Sequence, residues 1–350
     1  MKKPIDENME VKAVEITDDL CIFDVREPPF SLHGIWYDTD SFYRIPRDTA
    51  QKVSKNIHDM CDMTAGGRVR FSTTSSKIIL KATVRNVEEV SVMTTIAVKG
   101  FDLYADGDYV SVFVPPYSLK EGEYSSSINF GTKKMREITI DFPLYAAVTE
   151  LYIGIEKGEE LLPPKPYKHS TPVVFYGSSI TNGAAASRPG MTYLAMLSRM
   201  LDTDYHNLGF GGSAKGEREM AEYIASLDMS VFVMDYDHNA PTPEHLEKTH
   251  YPFYKIVREK NPDIPIIFVT RPCKKKLETN QIRRDIIKAT YDRAISEGDG
   301  NVYYINGAEL LPFDTNEFDV DSVHPSDLGF YFMANGIYPV LKSALEGSEI

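Results

Sequence analysis

The sequence predicts a mixed fold in which an all-β region is followed by an α/β region with a parallel sheet. Short segments rich in Val, Ile, Thr and Phe fill residues 20–160, and several of them alternate apolar and polar residues. In the second half, short apolar runs without alternation are separated by stretches of helix length. Between the halves stands LLPPKPYKHS (161–170), whose three prolines cannot continue a helix or a central strand. We therefore expect two domains, 1–165 and 166–350.

In the first domain, glycine and proline signals separate the candidate strands, at 65–67 (AGG), 105–108 (ADGD) and 115–117 (PPY). No long helical period is present. Many short strands without a helical period are typical of a β-sandwich, here predicted as jelly-roll-like. The predicted strands are Arg68–Thr73, Lys77–Arg85, Ile96–Leu103, Tyr109–Val114 and Glu137–Phe142.

In the second domain, each apolar run is followed by a helical segment, which predicts a parallel sheet covered on both faces in a flavodoxin-like, three-layer arrangement. Ligands in such sheets lie at the carboxyl ends of the strands, near a switch point in strand order. The predicted strands are Pro172–Tyr176, 205–210, Val231–Asp235, Pro265–Thr270 and Val302–Asn306, and the predicted helices lie near 190–202, 216–227, 244–260, 279–297 and 326–345.

Composition excludes several classes of protein. The 350 residues are 42% hydrophobic and 25% charged, as in ordinary globular enzymes. The net charge of -13 argues against a nucleic-acid partner and gives no support for binding to an anionic membrane.

Cys21, Cys61 and Cys273 are widely spaced and imply neither a disulfide framework nor a zinc site. The N-terminus lacks the apolar core of a signal peptide, and no apolar stretch could span a bilayer, so we expect a cytoplasmic protein. The oligomeric state is not predicted.

The first strand of the second domain ends in GSSIT (177–181). Gly177 allows a sharp turn from which Ser179 can project as a nucleophile once a base removes its proton. Taken alone, the same letters are more typical of a polar turn.

The second strand ends in NLGFGGS (207–213), where glycines allow a backbone N–H to approach a ligand closely. The same segment also fits a second hypothesis, a dinucleotide-binding site. Gly209, Gly211 and Ala214 fit the spacing of a dinucleotide-binding turn, with Asp228 about twenty residues further on. Such a turn normally follows the first strand of its unit, and this one follows the second.

The third strand ends in DYDHN (235–239). The amide of Asn239 can donate to a developing oxyanion. His238 is more typical of a pocket or surface residue than of a ligand. Asp235, Asp237 and His238 suggest a metal, but no second cluster of ligands accompanies them, so no metal is expected.

Near the C-terminus, DSVHPSDLG (321–329) places Asp321 three residues before His324. At that spacing a carboxylate can accept a hydrogen bond from His Nδ1 and fix its tautomer. The alternative is a simple start of a helix capped by Ser326. A serine, potential oxyanion donors and an Asp-x-x-His all fall at predicted strand ends, which together indicate an acyl-transfer site.

In this order, the motifs GSSIT, NLGFGG, DHN and DSVHP resemble the blocks of the SGNH (GDSL-like) hydrolase family. The resemblance implies Ser179 as nucleophile, Asp321 and His324 as its acid and base partners, and an oxyanion hole of Ser179, Gly212 and Asn239. ASRPG (186–190), HPSDLG, FYRIP (42–46) and GFDLYADG (100–107) resemble the branch of the family with an N-terminal β-sandwich.

The sequence departs from the family pattern at two blocks. Ser178 stands where the family usually has Asp, and YDHN replaces GxND. Neither change removes a catalytic atom, but both leave the substrate range open. Thr181 stands where a G-x-S-x-G motif would have its second glycine, which disfavours an α/β-hydrolase lipase.

The resemblance implies a cofactor-independent serine esterase acting on a small-molecule or oligosaccharide ester, with a small acyl group on a sugar hydroxyl as the first choice. Arg188, His238 and Arg271 are candidate substrate contacts. Trp36 and Tyr37 can stack on a sugar ring, although burial in the sandwich is more typical of a single Trp. A carbohydrate-binding protein with a decayed site, a dinucleotide enzyme and an acyltransferase with the same triad remain open alternatives.

Overall fold

The fold is described from a computed structural model, which describes residues 11, 14, 17–87, 90–272, 278–312 and 317–347. Cys273 and the first ten residues, which entered the predictions about cysteines and a signal peptide, lie outside these ranges. Cys21 and Cys61 are free thiols. Within the described ranges, no helix combines the length and the apolar character needed to cross a bilayer.

The described residues before 163, here called the β region, form antiparallel sheets. One sheet has the strand order β1-β11-β6-β9, and a second has the order β12-β5-β10-β7-β8 with β2 also paired to β5. Strands β3 and β4 form a separate hairpin. The strands are β1 (Leu20–Asp24), β2 (Ser31–His33), β3 (Trp36–Asp38), β4 (Ser41–Tyr43), β5 (Arg68–Thr73), β6 (Lys77–Arg85), β7 (Phe101–Ala105), β8 (Asp108–Phe113), β9 (Gly122–Asn129), β10 (Arg136–Asp141), β11 (Ala147–Glu156) and β12 (Leu161–Leu162).

The two larger sheets share one hydrophobic core. Apolar side chains from both sheets, such as Leu80 of β6 and Phe71 of β5, are fully buried in it. The polar residues that alternate with them point away from this core, as expected for strands with one buried face.

In the described part of the β region, three short helices interrupt the strands: α1 (Arg47–Val53), α2 (Lys55–Asp59) and α3 (Thr95–Lys99). The prediction of a strand over Ile96–Leu103 is therefore wrong for its first half. Thr94 caps α3 by accepting a hydrogen bond from the Ala97 N–H at 3.0 Å. Only after Gly100 does the chain extend into β7. Capping thus overrides the β propensity of Thr-Ile-Ala-Val.

Trp36 is not the buried sandwich aromatic that was expected. It lies on β3 with 43% of its surface exposed, and its ring meets His206 edge-on at 4.8 Å. Tyr37 packs against Phe42 with ring centroids 5.1 Å apart and lies under the guanidinium of Arg26.

The residues from His169 onward, here called the α/β region, contain a five-stranded parallel sheet. Its order is β14-β13-β15-β16-β17, and the mixed α/β fold with a parallel sheet is confirmed. The strands are β13 (His169–Gly177), β14 (Thr203–Gly209), β15 (Val231–Asp235), β16 (Ile266–Val269) and β17 (Val302–Ile305). The helices are α4 (Ser179–Asn182), α5 (Tyr193–Leu201), α6 (Arg218–Ala225), α7 (Pro243–Lys260), α8 (Glu278–Ser296) and α9 (Asp327–Glu346).

Helices cover this sheet on both faces. Alternate residues of one strand enter different cores: Val174 and Tyr176 of β13 pack with α6, α7 and α8, whereas Val173 and Phe175 pack with α5 and α9. Burial of both faces explains why these strands lack a polar-apolar alternation. In this strand order the switch point lies between β13 and β15, so a site is expected at their carboxyl ends.

Candidate active site

Ser179 stands at the turn between β13 and the short helix α4. A Cβ atom on Gly177 would lie 2.0 Å from Thr181 Oγ1 and 2.6 Å from the Asp235 carbonyl oxygen, so only glycine allows this turn. The side chain of Ser178 caps α4 by accepting from the Ile180 N–H at 3.2 Å. The backbone N–H of Ser179 is at the first helical position, where a helix supplies no carbonyl partner.

Ser179, His324 and Asp321 form a continuous hydrogen-bonded chain. Ser179 Oγ is 2.9 Å from His324 Nε2, and His324 Nδ1 is 2.7 Å from Asp321 Oδ2. The second carboxylate oxygen, Oδ1, accepts from the backbone N–H groups of Val323 and His324 at 3.1 and 2.8 Å. These four contacts fix both the imidazole and the carboxylate.

Several backbone contacts hold the loop that carries His324. The Val320 N–H donates to the His324 carbonyl at 2.8 Å, and Ser326 N–H donates to the Phe318 carbonyl at 2.7 Å. Ser326 also caps α9, accepting from Gly329 N–H at 3.5 Å. The predicted helix cap and the Asp-x-x-His contact therefore coexist in one loop.

The loop after α4 is tied to the same segment. Ala185 N–H donates to the Pro325 carbonyl at 3.3 Å, and Ser187 N–H donates to Asp327 Oδ1 at 2.8 Å. These bonds connect the loop after α4, which carries Ser179, to the loop before α9, which carries His324. They therefore maintain the distance between the two side chains.

Asp321 is held in its ionised form. Partial burial works to raise the pKa of this carboxyl, but hydrogen bonds from the backbone and the ring of His324 outweigh it and keep the pKa below the usual value. A charged carboxylate next to Nδ1 directs the proton of neutral His324 to that nitrogen and leaves Nε2 free to accept from Ser179.

The glycine loop after β14 passes close to Ser179. A Cβ on Gly209 would lie 2.3 Å from the Asn182 nitrogen, and one on Gly211 would lie 3.4 Å from the Ser179 Cβ. Gly212 is exposed, has a φ of +67°, and has open space where a side chain would begin. Glycine at these positions lets backbone N–H groups approach a ligand beside Ser179.

Asn239 lies in a short 3₁₀ helix (Asp237–Asn239) that follows β15. Its side-chain amide donates to the Phe210 carbonyl at 2.7 Å, which ties it to the glycine loop. An amide nitrogen carries two hydrogens, so one remains for a ligand.

The β region contributes residues that the sequence alone did not assign to the site. The buried guanidinium of Arg44, from the FYRIP motif, donates to the carbonyls of Asn207 and Gly209 at 3.2 and 2.9 Å and so supports the glycine loop. A Cβ on Gly211 would lie 4.0 Å from the Tyr145 hydroxyl, which places Tyr145 beside the same loop. The motif FYRIP was the available signal for Arg44; no motif marked Tyr145.

Arg188 has partners other than the predicted substrate. Its guanidinium donates to Asp102 and, at 2.7 Å, to the Tyr104 hydroxyl, and it lies 3.8 Å above the ring of Tyr109. Asp102 also accepts from the Gly190 N–H at 2.9 Å. The ASRPG and GFDLYADG motifs therefore meet and join the two regions. Burial raises the pKa of Asp102 to about 6, against the opposing effect of Arg188.

Arg271 likewise pairs with a residue of its own chain. It contacts the buried carboxylate of Asp237, which also accepts from Arg283 at 3.2 Å. Burial opposes ionisation of Asp237, but the charge of Arg271, the hydrogen bond from its backbone N–H and the charge of Arg283 keep the pKa of Asp237 below the usual value. The structure thus places Arg271 in a network that anchors the loop of Asn239.

His238 remains a candidate for substrate contact. Burial, and secondarily the charge of Arg271, lowers its pKa to about 3, so the ring is neutral at pH 7. Its Nε2 is buried and has no hydrogen-bond partner in the described part of the chain. The His324 ring is close enough to influence it electrostatically.

The acidic residues near the site are not arranged as metal ligands. Asp235 Oδ2 accepts from Tyr193 and Thr181 at 2.8 and 3.1 Å, and burial raises the pKa of Asp235 to about 7. Among the described residues, no three His, Cys, Asp or Glu side chains are grouped closely enough to hold a metal ion.

The dinucleotide interpretation is not favoured. Gly209 packs against the backbone of α4, Ala214 is fully buried, and the next helix begins only at Arg218. The glycine turn therefore does not lead directly into a helix N-terminus, which such sites use to hold phosphates.

The fold and the serine-centred site define the class of protein, an esterase or acylhydrolase. Residues 170–342 match the model of the GDSL-like lipase/acylhydrolase family, and residues 23–161 match the N-terminus of SGNH hydrolase-type esterases, a model named GxDLY. The chain belongs to the SGNH (GDSL-like) hydrolase family. Its own GxDLY motif is GFDLY, residues 100–104, which supplies Asp102 and Tyr104 to the contact with Arg188.

Solved structures share this two-part architecture. A GDSL-like lipase from Bacteroides ovatus is 28% identical, with a TM-score of 0.84 over 93% of this chain and 98% of its own. The salicylyl-acyltransferase SsfX3 from a tetracycline biosynthetic pathway is 18% identical, with a TM-score of 0.79 over 95% and 99%. An acetyl xylan esterase from Butyrivibrio proteoclasticus is 16% identical, with a TM-score of 0.64 over 94% and 100%. A comparison with curated proteins gives no match.

Proposed function

We propose that this protein is a serine esterase that hydrolyses a small acyl ester, an acetyl group on a carbohydrate, through Ser179, His324 and Asp321. The observation that carries the proposal is the chain of contacts at 2.9 and 2.7 Å from the Ser179 hydroxyl through His324 to Asp321. A serine hydroxyl becomes a useful nucleophile only beside such an oriented base.

The reaction has two steps. His324 Nε2 accepts the proton of Ser179 as Oγ attacks the ester carbonyl, and it then delivers that proton to the departing alcohol, leaving an acyl-enzyme. Water attacks the acyl-enzyme, His324 accepts the proton of water, and the proton returns to Ser179 Oγ as the acid departs. Asp321 stabilises the imidazolium in both steps and stays ionised.

The proposed oxyanion hole consists of the backbone N–H groups of Ser179 and Gly212 and the side-chain amide of Asn239. Its support is the position of Ser179 at the start of α4, the open surroundings of Gly212, and the bond that fixes Asn239 to the glycine loop. Donors fixed in place before the reaction stabilise the oxyanion without reorganisation.

Asn239→Ala is expected to lower kcat for ester hydrolysis by roughly 100- to 1,000-fold with little change in KM, because one such donor typically contributes that much. Steady-state kinetics with p-nitrophenyl acetate measures the change. Asn335→Ala, which removes an exposed amide on α9, is the matched control. An undiminished kcat in a folded Asn239 variant would remove this residue from the oxyanion hole.

The carbohydrate acetyl substrate is supported by the names of relatives that share the fold, which include an acetyl xylan esterase and a family two carbohydrate esterase from Clostridium thermocellum in complex with cellohexaose. The acyltransferase SsfX3 shares the fold as well, so transfer of the acyl group to an alcohol is the second candidate. Water and alcohols require the same activation by His324.

The substrate is tested by comparing p-nitrophenyl acetate, butyrate and octanoate, followed by acetate release from acetylated cello- and xylo-oligosaccharides. We expect kcat/KM to be highest for acetate and to be high for an acetylated oligosaccharide. A preference for octanoate would contradict the proposal that the acyl group is small. Hydrolysis of simple acetates without hydrolysis of acetylated oligosaccharides would contradict the proposal that the alcohol part is a carbohydrate. Acyl transfer to an added alcohol in preference to water would favour the second candidate.

We propose that the two regions are two domains with different roles. Residues 166–350 form the catalytic domain, with a flavodoxin-like three-layer fold, and residues 1–165 form a jelly-roll-like β-sandwich accessory domain. The support is the common core of the two antiparallel sheets and the helices on both faces of the parallel sheet. Arg44 and Tyr145 indicate that the accessory domain also shapes the active-site wall.

A further inference from the structure

A cavity lies between the β region and the α/β region, away from Ser179. Its volume is about 450 Å³. Its lining includes Arg70, Thr139 and Asp141 from the second antiparallel sheet, Tyr167 from the segment between the two regions (163–168), and Ser198 of α5. Tyr205, also in the lining, lies four residues before Gly209 on β14. At about 3.3 Å per residue, the cavity is roughly 13 Å from the carboxyl end of that strand.

The alternation of β5 and β10 explains why this cavity is polar. Val69 and Phe71 of β5 enter the core between the antiparallel sheets, so Arg70 faces outward. In the register of the two strands, Thr139 is opposite Arg70 and Asp141 is opposite Arg68. Residues of α5, among them Ser198, line the same cavity as this polar face of the sheet.

Arg70 is the unusual member of this lining. It is only 8% exposed, and its Nε and Nη1 atoms are buried without a hydrogen-bond partner among the described residues. Its neighbour Arg68, in contrast, donates to the Asp204 carboxylate and to the Tyr205 carbonyl. The one described contact that favours the Arg70 charge is the ring of Tyr167, 3.9 Å from the guanidinium carbon.

A guanidinium does not lose its proton in proteins, so Arg70 stays charged. A buried charge without a counter-ion is costly, and an aromatic ring offsets the cost only in part. The lining also holds the carboxyl groups of Asp106, Glu137 and Asp202, but no described residue accepts a hydrogen bond from Arg70 Nε or Nη1. These two atoms are therefore free to bond to an anion supplied from outside the chain. Lys165, with 81% of its side chain exposed, lies on the cavity rim, where its ammonium group is 3.8 Å from the carboxylate of Glu137.

We propose that this cavity binds a small hydroxylated anion, a sugar acid or sugar phosphate, whose oxyanion pairs with Arg70 while its hydroxyl groups bond to Asp141, Thr139 and Ser198. The volume is within the range of small-molecule sites. Burial raises the pKa of Asp141, and the charges of Arg199 and Arg68 oppose that rise. The Asp141 carboxyl can accept hydrogen bonds from hydroxyl groups of a ligand.

The test is calorimetric titration of the full chain with glucuronate, glucose 6-phosphate, inorganic phosphate and neutral glucose. We expect a charged sugar to bind with a Kd below about 10 mM and glucose not to bind. Arg70→Met is expected to weaken that binding by about 10- to 100-fold, because it removes charge-assisted hydrogen bonds. Hydrolysis of p-nitrophenyl acetate by this variant is expected to be unchanged. Glucuronate and glucose 6-phosphate distinguish a carboxylate from a phosphate ligand.

Arg136→Met is the matched control, because Arg136 is a buried arginine on β10 that already bonds to the Thr132 and Lys134 carbonyls. It is expected to lower the melting temperature and leave binding intact. If Arg70→Met does not fold, Lys165→Glu reverses a charge on the exposed rim and is expected to weaken binding by itself. No binding of any charged probe, equal binding of glucose, or unchanged affinity in a folded Arg70 variant would overturn the proposal.

Discussion

Replacing Ser179 by Ala is expected to reduce ester hydrolysis by roughly four to six orders of magnitude, because loss of the nucleophile in a serine hydrolase removes the covalent pathway. The fold should tolerate the change. Ser179 is partly exposed at the first position of α4, and the hydrogen bond that caps this helix comes from Ser178. Burst and steady-state kinetics with p-nitrophenyl acetate, together with thermal melting, measure both expectations.

The matched control is Ser178→Ala. It removes a neighbouring hydroxyl that accepts a backbone hydrogen bond and makes no described contact with His324. A lost N-cap typically costs about 1 kcal/mol of stability, so a lower melting temperature with most of the activity retained is expected. Equal rates for native protein and Ser179→Ala would mean that another group attacks the ester.

The α/β region was predictable because its strands are buried on both faces. A strand such as Val231–Asp235 has no polar residue before its end, and a doubly covered parallel strand requires that pattern. The predicted strand matches β15 in full. The four-residue helix α4 was not predicted, since one turn is too short to show a helical period.

The β region was less predictable because its elements depend on distant pairing. β9 (GEYSSSIN) contains three consecutive serines, and its strand conformation follows from its pairing along β6. In α3, a single threonine cap outweighed a sequence of β-branched residues. Strand propensity reflects packing against neighbours, and a single sequence does not give those neighbours.

The motifs around Ser179, Asn239 and His324 could be proposed from sequence because each follows a recognisable strand or precedes a recognisable helix. The residues that support these motifs could not be proposed from sequence. Arg44 reaches the Gly209 carbonyl across 165 positions of sequence, and Asp102 reaches the Gly190 N–H across 88. Their motifs were visible, but their function depends on how the two regions pack, which no local pattern specifies.

Asp321→Asn is expected to lower kcat by about 10⁴-fold while leaving the fold intact, because it reverses the hydrogen bond that sets the tautomer of His324. The asparagine oxygen can still accept from the Val323 and His324 N–H groups, as Oδ1 does now. Its amide nitrogen then replaces Oδ2 and donates to His324 Nδ1. The ring proton moves to Nε2, which can no longer accept the proton of Ser179.

Kinetics with p-nitrophenyl acetate and thermal melting measure the activity and the stability of the Asp321→Asn variant. A control variant separates the change of tautomer from a simple loss of charge. Asp292→Asn, which neutralises an exposed carboxylate paired with Lys288 on α8, is the control and is expected to retain full activity. The pKa of Asp321 is held below its usual value, so this carboxyl is ionised near neutral pH and the deficit of the variant should persist from about pH 6 to about pH 8. A loss smaller than about tenfold would mean that Asp321 shapes the loop but does not orient His324, because a wrong tautomer leaves Nε2 without its lone pair for Ser179.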